Sequence, residues 1–338
     1  MRKVDVSIII PAYNVGEYIR KTLDSLLKQT LKTFEVIIVD DGSTDNTSEI
    51  INDYKSNSDL RISTITQRNS GVSSARNNGI KIAKGKYIVF LDGDDYLDSS
   101  FLKVMFDRIT STDSCFCYCG HKKVDIRGEL VSSYNHEYFT GILSGFEVIV
   151  KVLNDTILCV IGPAIYKADV IHKNKIIFCR YLKYGEDQKF ILEFLSHCTK
   201  AVCVEKELVN YLIRKNSVTQ NAANLKYLDN LRVQRTVLDM ILTRKNIETN
   251  LKLKSIRIIK YYKIPIWIIH ILEDWAITGQ KRRFVRLLKF KTIRYYLFIS
   301  MLRNILNCKL AVKCFILLFF SKLFYNKYSS NKYKNRFL

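Results

Sequence analysis

The residues best equipped for chemistry are carboxylates gathered at the ends of apolar runs. Asp92-Gly-Asp-Asp95 follows Tyr87-Ile-Val-Phe-Leu91, so three carboxylates fall within four residues at the mouth of a predicted strand. Groups this close repel one another unless a cation or hydrogen-bond donors offset them. Oxygen ligands on a short loop suit Mg²⁺ or Mn²⁺, which take one or two protein carboxylates and fill the remaining positions with water and phosphate oxygens. A calcium EF-hand is excluded, because Leu97 stands where that loop needs glycine and Lys103 where it needs glutamate. A second acidic turn, Asp40-Asp41, ends the apolar run Phe34–Val39, although Asp40 could equally cap the turn that follows. A third pair, Glu186-Asp187, follows Gly185 at a predicted helix start, where acids are favoured even without a reaction to perform. The helix start also stabilises the Asp187 anion and so limits its basicity. Arg76, within Gly71-Val-Ser-Ser-Ala-Arg-Asn-Asn-Gly79, is placed to meet a diphosphate.

Some chemistries are absent. No G-x-G-x-x-G follows a strand and no G-x-x-x-x-G-K-[ST] occurs, so a diphosphate would have to be held by metal and basic side chains. His121, His136, His172, His197 and His270 have no spacing suited to a zinc site or a triad. Cys115, Cys117 and Cys119 alternate on one face of a predicted strand, Ser114–Gly120. They read as reduced structural thiols, since no secretory signal precedes them and no second ligand pair follows.

The elements that must position these groups alternate. Val4–Ile10 and Phe34–Val39 read as buried strands and Arg61–Thr66 and Tyr87–Leu91 as a third and fourth strand, with helices at Glu17–Thr30, from Thr44 or Asp45 to about Tyr54, and at Val72–Ala83. Repeated strand–helix units predict a parallel sheet with helices on both faces, and ligands in such sheets bind at the carboxyl ends of the strands. Shorter strands and helices near 145–153 and 186–196 follow. Beyond about residue 222 the pattern is almost wholly helical. The expected organisation is a catalytic domain of residues 1–222 and a basic helical region of 223–338.

Charge supports that division. The chain carries +22 over 338 residues, and residues 251–338 hold 20 Lys/Arg against only Glu273 and Asp274, for +18. Such a tail expects an anionic partner, either nucleic acid or a membrane surface. Its apolar runs, Tyr295–Leu302 and Cys314–Ser321, are too short to span a bilayer, which favours helices lying in the interface over spanning ones, and an anionic membrane rather than nucleic acid is the partner expected. A packed helical layer or a homo-oligomer contact is the alternative for the same residues.

Four motifs in succession resemble those of family 2 glycosyltransferases with the GT-A fold. They are Val6-Ser-Ile-Ile-Ile-Pro-Ala-Tyr-Asn14, Val39-Asp-Asp-Gly-Ser-Thr-Asp45, Asn69-Ser-Gly with Ala75-Arg-Asn-Asn-Gly79, and Phe90-Leu-Asp-Gly-Asp-Asp95. A fifth, Gly185-Glu-Asp-Gln-Lys-Phe190, resembles the family's Glu-Asp motif. More loosely, Tyr211-Leu-Ile-Arg214 with Ser217-Val-Thr219 resembles a segment these enzymes fold over the donor. The likeness covers about residues 4–220. It implies an inverting transfer of a sugar from a nucleotide-diphosphate donor, UDP or the chemically close dTDP, to an acceptor hydroxyl. It places Pro11, Tyr13, Asp41, Asn69, Arg76, Asp92 and Arg214 at the donor, with Tyr13 against the base and Asp41 on its uracil-type N–H. Asp94 would hold Mn²⁺ or Mg²⁺, Asp92 would touch sugar or ribose, and Arg76 would neutralise the diphosphate or steady the acids. Asp187 would be the general base, with Glu186 in acceptor binding. The acceptor expected is a growing surface glycan or a lipid-linked one, handled at the cytoplasmic face of the plasma membrane. A phosphatase-type phosphoryl transferase fits less well, because Tyr96 stands where that motif wants Thr or Val. A non-catalytic nucleotide-sugar binder would not need Asp92, Asp94 and Asp187 together.

Overall fold

The computed structural model describes residues 3–214, 223–245, 247–304 and 308–330. The chain divides into two compact units, one of Met1–Tyr181 with Glu186–Ser217, the other of Leu182–Gly185 with Val218–Leu338. The border expected near residue 222 lies outside the described residues.

The first unit opens with β1 (Val6–Ala12), α1 (Ile19–Leu27), β2 (Phe34–Asp40), α2 (Thr47–Asn57), β3 (Ile62–Thr66), α3 (Val72–Ile82) and β4 (Tyr87–Phe90). β1 and β2 are buried along their whole length, as their unbroken apolar runs require of strands covered on both faces. Each Ile or Val removed from water there contributes about 1.5–3 kcal/mol. Buried polar groups tie the same strands: Ser7 Oγ donates to Glu35 Oε1 at 2.7 Å, Gly85 N to Ser7 Oγ, and Lys84 N to Glu35 Oε1. α3 lies close against β1 because Gly79 has no side chain; a Cβ there would stand 2.4 Å from Ile9 Cγ2.

The unit continues with β5 (Tyr96–Leu97), α4 (Phe101–Ser111), β6 (Phe116–Val124), β7 (Leu130–Ser132), α5 (Gly145–Leu153), β8 (Ala164–Lys167), α6 (Ala168–Lys173), α7 (Glu186–Leu195) and β9 (Ala201–Leu212). All strands join one sheet in the order β3-β2-β1-β4-β8-β6-β9-β5, with β7 beside β6. The expected parallel sheet holds only for β3, β2, β1 and β4. β8 runs antiparallel to both β4 and β6, and β9 is again parallel to β6. Cys117 and Cys119 point from β6 into the apolar core, where burial pushes both thiols up, while Cys115 precedes the strand.

The second unit is helical: α8 (Ala223–Thr243), α9 (Thr249–Ile258), a π-helical turn (Ile259–Lys263), α10 (Ile264–Ile277), α11 (Lys281–Lys289), α12 (Lys291–Arg303), α13 (Cys308–Phe319) and α14 (Ser321–Ser329). α10 is its centre, with Ile264, Ile268, Ile271, Leu272 and Ala276 buried. Among the described residues no helix is long and apolar enough to cross a membrane.

Candidate active site

The acidic strand ends converge on the carboxyl edge of β1, β2 and β4. Tyr13 follows β1 and is 48% exposed, and Pro11 is buried in register with Val39. Asn14 takes a positive φ of 49° and locks the β1 loop to the β2 loop: its Oδ1 accepts from Thr44 N at 2.8 Å and its N donates to Ser43 Oγ at 3.1 Å. Asp40 is a capping residue, accepting from Ser43 N and Ser48 Oγ. Asp41 is 4% exposed and shapes the loop between β3 and α3. Its Oδ1 accepts from Gln67 Nε2 and Ser70 N, and its Oδ2 from Gly71 N, each within 2.8 Å. Asn69 is exposed on that loop.

The turn after β4 brings the carboxylates together. Gly93 lets it pass under the β1 loop, since a Cβ would lie 3.1 Å from Val15 Cγ2 and 3.3 Å from Pro11 O. Arg76, on α3 and 2% exposed, joins this turn to α7. Its Nη2 donates to Asp92 Oδ1 at 2.7 Å and its Nη1 to Asp187 Oδ1 at 2.5 Å, with Glu186 Oε1 at 3.8 Å. The Phe178 ring lies 5.1 Å from its guanidinium carbon. A cation this deeply buried persists because its carboxylate partners hold it above its ordinary pKa.

Desolvation sets the acid strengths. It raises Glu186 to about 7, helped by the charge of Asp187 and opposed by Arg76. It also raises Asp187, against the pull of Arg76. Burial thus acts on Asp187 in the direction opposite to a helix start, which stabilises the anion. Asp94 is raised by burial and by Asp92 beside it, and its Oδ2 pairs with Arg214 Nη2 at 2.9 Å. Asp95, buried, is raised well above an ordinary carboxylate by desolvation. It does not reach the site; its Oδ1 accepts Leu212 N at 3.0 Å and so anchors the end of β9. Sequence reading counted Asp95 among the acidic cluster and missed this role, because its partner is a backbone amide 117 residues away. The Ser217-Val-Thr219 part of the donor segment lies outside the described residues.

The donor set fits a divalent cation. Asp92 and Asp94 supply only oxygens from one turn, the ligand type such an ion takes, although each also pairs with an arginine, Arg76 and Arg214. Among the described residues no three His, Cys, Asp or Glu side chains are arranged to hold an ion unaided, so water and phosphate would complete the shell.

The family model for glycosyl transferase family 2 matches residues 7–174. The chain belongs to glycosyl transferase family 2. It is 32% identical to the uncharacterized glycosyltransferase EpsJ of Bacillus subtilis over 224 residues, 64% of this chain and 63% of that one. It is 31% identical over 222 residues to the poly(ribitol-phosphate) beta-glucosyltransferase of Bacillus spizizenii, 64% of this chain and 34% of the relative. The chain therefore spans less than two thirds of the length of either. The crystal structure of S. aureus TarS 1-349 in complex with UDP-GlcNAc superposes with a TM-score of 0.66 at 24% identity, covering 88% of each chain. The fold is GT-A, with a helical region following the sheet.

Proposed function

We propose that this glycosyltransferase moves a sugar, with inversion, from a UDP-sugar to a hydroxyl of a cell-surface glycan or its lipid-linked precursor. The observation that carries the reading is the single buried Arg76 that joins Asp92, on the donor side, to Asp187, on the acceptor side. Tyr13 offers an exposed ring for the base, and Asp41 and Asn69 line the loop beside it. Pro11, in the strand just before Tyr13, lies on the donor side, and Arg214 supplies a second guanidinium for the diphosphate. Asp92 and Asp94 would hold Mn²⁺ or Mg²⁺, which when bound stabilises charge on the departing diphosphate. Asp187 takes the proton from the acceptor hydroxyl as it attacks the anomeric carbon opposite the leaving group. Glu186 orients that hydroxyl. Charge developing at the anomeric carbon resembles that of glycosidase transition states, so fixed carboxylates nearby favour it.

One comparison supports the donor class and another the acceptor class. TarS has been crystallised with UDP-GlcNAc, and the Bacillus spizizenii relative bears the name of a glucosyltransferase acting on a poly(ribitol-phosphate). The basic helical unit supports work at the cytoplasmic face of an anionic membrane as a peripheral protein. A panel of UDP-, dTDP- and GDP-sugars tested for Mn²⁺-dependent nucleotide release checks the reading. Release confined to UDP-sugars agrees with it, and release from none of them refutes it.

A further inference from the structure

Arg214 already occupies the carboxylate expected to hold the cation. Its Nη2 lies 2.9 Å from Asp94 Oδ2, and its guanidinium carbon stands 5.2 Å from the centre of the Tyr18 ring. The backbone that delivers it is pinned just upstream: Leu212 N donates to Asp95 Oδ1 at 3.0 Å and Ile213 N to Val124 O at 2.8 Å. Consecutive carboxylates thus hold this strand end twice, Asp95 through the main chain and Asp94 through the guanidinium. Asp92 and Asp94 each have their own arginine, and the two arginines differ. The Arg76 side chain is 3% exposed and bonded on two sides, whereas that of Arg214 is 27% exposed, two residues past the end of β9. Arg214 is the one free to leave.

We infer that Arg214 is a resident counter-ion for Asp94 which a divalent cation must displace, and that the donor's diphosphate draws it away. A guanidinium and a divalent ion cannot share one carboxylate oxygen without strong repulsion at such short range. A diphosphate offers the planar guanidinium a bidentate anionic partner, so losing Asp94 costs it little once nucleotide is present. Cation and nucleotide then bind as a coupled pair, each tightening the other by the same factor. The Arg214–Asp94 pair neutralises the acidic turn and holds the donor segment's first residues in place. This inference rests on the proposed role of Asp94 as cation ligand.

The test is Mn²⁺ titration of the full-length protein, following free Mn²⁺ by electron paramagnetic resonance with and without saturating UDP. Wild type should bind Mn²⁺ weakly alone and more tightly with UDP. Arg214→Ala should bind Mn²⁺ alone about fivefold or more tighter than wild type, and the extra affinity gained on adding UDP should shrink by about the same factor. Arg214→Gln, which keeps bulk without charge, should behave alike and replaces the alanine variant if that one melts early. If wild type binds Mn²⁺ with UDP while both variants bind Mn²⁺ alone no better than wild type, Arg214 does not guard Asp94 and the inference falls, leaving the cation site standing. If wild type with UDP binds no Mn²⁺, the cation site falls and the inference with it.

Discussion

Arg76 and Asp187 stand 111 positions apart, yet the arginine donates to the carboxylate at 2.5 Å while holding Asp92 with its other nitrogen. One buried guanidinium thus fixes the spacing between the donor-side acid and the proposed base. It also explains how four carboxylates persist together, since Glu186 lies within its reach and Asp94 has Arg214.

Arg76 should therefore govern both stability and rate. Removing one partner from a buried ionic cluster costs about 3–5 kcal/mol, so Arg76→Ala should unfold at markedly lower urea. Arg76→Lys keeps the charge without the fork, and a misplaced base costs roughly 10²-fold in kcat. A lysine variant with wild-type kcat would show that the two-sided clamp is unimportant.

Glu186 predicts the pH profile. Burial raises it from an ordinary carboxylate value to about 7, so the folded protein keeps a proton that the unfolded chain has lost. Folding stability should accordingly fall as pH rises from about 4.5 to 7, and Glu186→Gln should flatten that slope. If transfer needs the ionised Glu186–Asp187 pair, kcat/KM should rise through an apparent value near 7 that belongs to the pair, and the limb should move to lower pH in Glu186→Gln. An identical limb in the variant would assign it elsewhere.

Asp94→Asn should abolish transfer at any Mn²⁺ or Mg²⁺ concentration while leaving the thermal melt close to wild type. Wild-type activity that survives excess chelator would remove the cation from the mechanism.

The helical unit should bind anionic lipid. On α12, Tyr295, Phe298 and Leu302 are exposed at i, i+3 and i+7; on α13, Val312, Phe315 and Phe319 repeat that spacing. Exposed Arg294, Arg303, Lys309 and Lys322 lie among them, and each basic residue near an anionic membrane contributes about 1 kcal/mol. Full-length protein should float with phosphatidylglycerol vesicles, and Phe315→Asp with Phe319→Asp should release it at unchanged net folding. Equal flotation of the double variant, or a dimer in place of vesicle binding, would make this face something other than a lipid contact.

Much of this was legible in the residues, for identifiable reasons. β1, β2 and β4 announce themselves because burial on both faces leaves unbroken runs such as Val6–Ile10, and helices such as Gly145–Leu153 carry a clear apolar stripe. Asp92, Asp94, Glu186 and Asp187 were visible as acids at strand or helix ends. The antiparallel insertion of β8 between β4 and β6 was not, because a four-residue strand pairs through partners far away in sequence. Arg76 was visible as a cation but not as a clamp, and Asp95 not as an anchor, since each role is defined by a partner more than 100 residues distant.

Asp187→Asn is the most direct measurement of the central claim. The amide keeps the size and still accepts a bond from Arg76, but it cannot take a proton. Binding of the UDP-sugar, read by calorimetry with Mn²⁺ present, should stay within about twofold of wild type. Single-turnover transfer to acceptor should fall by about 10²–10⁴. Full transfer by this variant, or lost donor affinity with unchanged turnover, would contradict the assignment of Asp187 as the base.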